Sequence, residues 1–166
     1  MALTVKMGDA IPSVGLRATD GYLLNLRSFV TKQPVIFLFF GAPTLSGAAR
    51  KRGLDAALAL GNDHERLRQA GIAVIGVSCD SEQQQADFVA EHELPYLLFS
   101  DERRSAVNLL GIDTVAKGAN FNVAKPIAIA VDADGVIRAV IENVDPDYLA
   151  DRVIRTLSAP LPAPAA

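Results

Sequence analysis

The chain has 166 residues, half of them hydrophobic and 21% charged, which is a globular composition and neither a disordered nor a fibrous one. One cysteine excludes a zinc ribbon, a haem-attachment motif and a disulfide framework. With 16 Lys and Arg against 19 Asp and Glu, the net charge of −3 exerts no global pull on nucleic acid or an anionic membrane.

The opening MALTVKMGD lacks the apolar stretch of a signal peptide, which points to the cytoplasm. Up to residue 33, short apolar pieces alternate with turn signals at Gly8-Asp9, Ile11-Pro12 and Asp20-Gly21. Pro34-Val-Ile-Phe-Leu-Phe-Phe40 is a continuous run of β-formers and predicts a strand buried on both faces. It falls far short of the roughly 20 residues that span a bilayer. Gly41-Ala-Pro-Thr44 ends it, and the Ala-, Leu- and Arg-rich stretch from Gly47 to Ala70 predicts helix, broken near Gly61-Asn62-Asp63. Ile72 to Ser78 is a second buried strand, after which Asp80 or Ser81 caps a helix running to about His92. Pro95 to Phe99 is a short strand, and Asp101 opens a helix to Leu110. Pro126–Val131 and Val136–Ile141 flank Asp132-Ala-Asp-Gly135, a hairpin signal. A last helix covers about Asp147 to Leu157, so residues 1–158 are expected to form one domain and the Pro/Ala-rich residues 159–166 a disordered tail.

Strands alternating with helices, then an antiparallel hairpin and a closing helix, describe an α/β domain with a mixed sheet, strands 35–40 and 72–78 lying parallel in it. Ligands of such sheets bind beyond the carboxyl ends of the parallel strands. Gly41–Ala49 and Cys79–Ser81 are therefore expected to be neighbours and to hold the site.

Gly8-Asp-Ala-Ile-Pro12 with Leu16, Asp20-Gly21 and Leu26 begins a familiar pattern. It continues in Ile75-Gly-Val-Ser78-Cys-Asp-Ser81, Phe88, Leu94-Pro95, Leu97 and Ser100-Asp101, and closes in Val131-Asp-Ala-Asp-Gly-Val-Ile137. Over about residues 6 to 157 the chain resembles the peroxiredoxins of the alkyl hydroperoxide reductase/thiol-specific antioxidant (AhpC/TSA) family. The resemblance implies a thioredoxin-like fold and a place in thiol/peroxide redox chemistry, without a cofactor or a metal. That family carries Thr-x-x-Cys after the first buried strand and an Arg before the next-to-last one. Here the match is Thr44-Leu-Ser-Gly47, leaving Gly47 (or, one residue on, Ala48) at the attacking position, and the Arg falls on Pro126 beside Lys125. The resemblance thus implies a divergent member in which the standard peroxide cycle is excluded. Pro126 also matches the cis-proline that opens this strand in related thioredoxin-like reductases, so a cis Lys125–Pro126 bond is expected. Relatives often dimerise, which makes a homodimer a further expectation.

Three readings follow. Cys79, the only thiol, is either a relocated redox centre served by an external thiol or a small buried hydrophobe. Ser46 and Gly47 at a helix start, with Arg50-Lys51-Arg52 nearby, form either an anion site or a solvated turn balanced by Asp55 or Glu65. In the second reading, where the anion site is real, the protein is a non-catalytic module that takes a partner or a small anion in the vacated pocket. Thr44 and Ser46 with the basic triplet would serve a non-redox enzyme only with a base in reach, and no base is visible. His64 and His92 read as surface residues, Asp132 and Asp134 as turn formers rather than metal ligands, and Phe37, Phe39 and Phe40 as core.

Overall fold

The computed structural model describes residues 3–18, 23–30, 33–41, 45–117 and 120–159. The continuous apolar run becomes strand β3 (Val35–Phe39), which lies in the middle of a seven-stranded sheet. Alternate side chains of an extended strand leave on opposite faces. Val35, Phe37 and Phe39 accordingly enter one buried cluster, and Ile36, Leu38 and Phe40 enter the other.

The remaining elements are β1 (Gly15–Ala18), β2 (Leu23–Asn25), α1 (Leu26–Val30), α2 (Gly47–Asn62), α3 (His64–Gln69), β4 (Ala73–Ser78), α4 (Glu82–His92), β5 (Leu97–Ser100), α5 (Ser105–Leu110), β6 (Thr114–Lys117), β7 (Asn120–Val123), β8 (Ile127–Val131), β9 (Ile137–Ile141) and α6 (Leu149–Ser158). The sheet order is β2-β1-β5-β4-β3-β8-β9. Strands β3, β4 and β5 are parallel to one another, with β3 and β4 in the register Val35↔Ala73 to Phe39↔Val77, while β1 and β8 flank them antiparallel. Helices α1 and α5 cover the Phe37 face; α2, α3, α4 and α6 cover the Ile36 face. The expected break in the long helix falls at Asp63, which ends α2 and starts α3.

Local chemistry sets the boundaries. Ser81 caps α4 with a full capping box, its hydroxyl taking the Gln84 N–H and the Gln84 side chain taking the Ser81 N–H. Asp101 acts ahead of α5, accepting from the Ala106 and Val107 N–H groups at 3.1 and 2.9 Å. At the hairpin β8–β9, Asp132 accepts from the Asp134 and Val136 N–H groups, so its carboxylate does the turn work expected of it. Four strands and one helix were not anticipated: β1, β2 and α1 near the N-terminus, and the separate hairpin β6–β7, which joins no other strand among the described residues. They are three to five residues long, too short to set up a periodicity. Residues 160–166 of the expected tail lie outside the described residues.

Candidate functional site

The carboxyl ends of β3, β4 and β5 meet at the top of the sheet, where the chain concentrates its buried polar groups: Ser78, Asp80, Gln85, Ser100, Asp101 and Asn122. Gln85 reaches up from α4 and donates to the Ser78 hydroxyl at 2.9 Å and to the Phe99 carbonyl at 2.8 Å, closing β4 onto β5. Ser100 donates to the Asp80 carbonyl. Asn122, fully buried on β7, gives its amide to Asp80 Oδ1 at 2.9 Å and accepts from the Cys79 and Val123 N–H groups. It also abuts Gly41, where an added Cβ would stand 2.8 Å from its Cγ and 2.5 Å from Leu45 Cδ1. Asn122 therefore lies against both Gly41 and Cys79–Asp80. Sequence reasoning missed this residue. Its only signal is a polar side chain in an otherwise strand-like Phe121-Asn122-Val123, and nothing in that string names its partners more than 40 positions away.

Cys79 is 9% exposed, and its thiol is pushed up from 9.0 to about 12, first by burial and then by the Asp101 and Asp80 carboxylates. Such a thiol stays protonated at neutral pH, against the lowered pKa of reactive cysteines. Ser46 and Gly47 are exposed at the start of α2, and Ser46 makes no side-chain cap bond to the helix. Gly47 has φ 63°, with open space where a side chain would stand. The first turn of α2 holds no acidic residue, Arg50 buries an Nε without a hydrogen-bond partner, and Lys51 pairs with Asp55 at 2.7 Å, one of the two balancing acids expected. Glu65, the other, pairs with Arg68 instead. Thr44 lies outside the described residues.

Lys125 is exposed and lines a cavity of about 340 Å³ with Leu3, Asp113, Ile127 and Glu142, at the end of the sheet where Ile127 pairs with Phe39. Pro126 is buried, but the expected cis bond is not found: every described peptide is trans. Trans is the form an X–Pro amide prefers by about 0.5–1 kcal/mol, and the likeness to a dithiol reductase at this strand fails with it. His92 also corrects an expectation. It is half-buried, since its ring packs edge-on against Phe88 with centroids 4.5 Å apart and its Nε2 is buried without a hydrogen bond, 3.9 Å from the Glu91 carboxylate. His64 stacks on Tyr96. Phe37, Phe39 and Phe40 are fully buried, as core residues should be. Among the described residues no helix is long and apolar enough to cross a membrane, and no three His, Cys, Asp or Glu are grouped to hold a metal.

The family model "AhpC/TSA family" matches residues 7–140. The chain belongs to the AhpC/TSA family. Among its curated relatives is chloroplastic peroxiredoxin Q of Suaeda salsa, 28% identical over 156 residues that make up 93% of this chain and 69% of the relative. Peroxiredoxin Bcp of Escherichia coli K12 is 26% identical over 84% of this chain and 86% of its own. Among solved structures, peroxidoxin BcpB of Mycobacterium tuberculosis superposes with a TM-score of 0.77 at 22% identity, covering 93% of this chain and 97% of that one. A mutant PrxQ of Xylella fastidiosa also reaches 0.77, at 17% identity over 95% and 98% of the two chains. The thioredoxin-like peroxiredoxin fold is thereby shown, and family membership supports a redox role at that general level.

Proposed function

We propose that this member of the AhpC/TSA family does not reduce peroxides through a cysteine of its own and serves as a binding module, with the start of α2 as its anion-accepting site. One observation carries the reading. The only thiol is buried between carboxylates that oppose its ionisation, while the position of the family's attacking cysteine is Gly47. The start of a 16-residue helix, with no acid in its first turn and Arg50 beside it, favours a small anion there. Lys125 is exposed at the same end of the sheet.

The test is hydrogen peroxide consumption with dithiothreitol, in the wild type and in Cys79→Ser, with Cys79 read by intact mass. Indistinguishable rates for the two proteins and an unmodified thiol are expected. Turnover that disappears in Cys79→Ser, with a sulfenic or mixed-disulfide adduct, would instead establish the second reading: a one-cysteine enzyme using an external thiol. The cationic Arg104, which pulls the Cys79 thiol downward, is the one feature that favours it. For the anion, titration with inorganic phosphate should show heat that Arg50→Ala abolishes, and equal binding by the two proteins would remove Arg50 from the site.

A further inference from the structure

We infer that the cavity at the start of β8 binds a small zwitterion of amino-acid size, Lys125 taking its carboxylate and Glu142 its ammonium. The β8–β9 register pairs Ala128 with Ile141, which carries Ile127 alongside Glu142 at this end of the sheet. Lys125, two residues ahead of Ile127, lines the same cavity of about 340 Å³. Two distant segments add to the wall: Leu3 near the N-terminus, and Gly111, which ends α5 at φ 72° and brings no side chain. The volume lies at the small end of ligand pockets and suits a single amino acid.

The charges point to the ligand. Lys125 and Glu142 are both exposed, and neither makes an ion pair with the other or with any described residue. Opposite charges that line one cavity without meeting are free to be bridged by a molecule carrying both signs. A lone anion is disfavoured, because Asp113 lines the cavity too and carboxylates there outnumber the ammonium group. A lone cation leaves Lys125 without a counter-charge. Only a zwitterion answers both groups. Between them the wall is apolar, with Ile127 9% exposed and Leu3 half-buried. An aliphatic side chain laid on that wall releases water from both surfaces, which adds to binding. The cavity shares no residue with the start of α2, so a failed peroxide or phosphate test leaves this inference untouched.

The experiment is an NMR titration of the isotope-labelled full chain with L-leucine, beside two of its halves. Isocaproate keeps the carboxylate and lacks the ammonium; isoamylamine keeps the ammonium and lacks the carboxylate. Leucine should shift the amide signals of Gly111, Ile127 and Glu142 saturably, and each half should bind about fivefold more weakly, the worth of one exposed ion pair. Lys125→Ala should lower leucine to the affinity of isoamylamine, and Glu142→Gln to that of isocaproate. Both side chains are exposed, so circular dichroism of the variants should match the wild type. No saturable shift, leucine binding no tighter than its halves, or equal binding by the variants overturns the proposal. Shifts confined to the start of α2 also overturn it and give the leucine carboxylate to the anion site proposed there.

Discussion

Gly47, which the proposed function sets at the family's attacking position, has a backbone that resists a side chain. At φ 63° it occupies the left-handed region, where an L-residue is disfavoured by about 1–2 kcal/mol while glycine is not. Space is not the obstacle, since nothing stands within 4 Å of a Cβ there. Gly47→Cys is therefore expected to fold with a stability lower by about 1 kcal/mol in urea unfolding, and its new thiol should be alkylated far faster than Cys79. An unchanged stability would mean that the turn relaxes into an ordinary helical conformation. Gly53 is constrained differently: a Cβ on it would stand 2.4 Å from the Gly41 carbonyl, so α2 can press against the loop that leaves β3 only with glycine at that point.

Two helices of the Ile36 face show opposite treatment of their first turns. Helix α4 has a capping box and Glu82 in its first turn, whereas α2 has an N-cap without a cap bond, no acid and three cations from Arg50 to Arg52. Ser81→Ala should cost about 1 kcal/mol, the usual worth of a lost cap. Ala48 is exposed in the first turn of α2, and Ala48→Glu should add about 0.3–1 kcal/mol by opposing the helix dipole. The same carboxylate should also suppress the phosphate heat proposed above. A stabilised Ala48→Glu protein that binds phosphate as the wild type does would show that the start of α2 is not the anion's place. Thermal unfolding with and without phosphate separates the two effects.

At the scale of the whole molecule, the buried titratable groups set a pH profile. The Cys79 thiol is held up at about 12 and the Tyr96 hydroxyl is raised by burial, whereas the unfolded chain ionises them near 9.0 and 10.0. Above pH 9 the unfolded state therefore binds fewer protons than the folded one. Stability is intact below 9 and falls as pH rises toward 12, by at most about 1.4 kcal/mol per pH unit for each group. Urea midpoints between pH 8 and 11 should show this slope, and Cys79→Ala should flatten it; a parallel profile in that variant would mean the thiol is not buried in solution. At the acid end Asp101 is also raised, chiefly by burial, so its contribution is greatest below 3.8 and fades as pH rises through its folded value. The closing elements are held by Arg138, 9% exposed, which reaches Asp132 at 3.5 Å and donates to the Thr156 and Ala159 carbonyls, fastening the end of α6 to the β8–β9 hairpin.

The central strands, the broken helix and the Asp132–Gly135 turn all follow from residues adjacent in sequence. Continuous apolar runs, caps and glycine turns act within one or two turns of chain, so they can be read locally. The absence of any cysteine but Cys79 is legible in the same way. Asn122 is not, because its meaning comes from Asp80, Cys79 and Gly41, which only the fold brings to it. The chemistry of Cys79 was equally hidden: one thiol near a strand end serves a reactive centre or a core position alike. Burial by other elements and the carboxylate of Asp101, 22 positions further on, oppose its ionisation. Local sequence determines which backbone each segment adopts, whereas the reactivity of a side chain depends on dielectric and neighbouring charge, and those exist only once distant segments have packed.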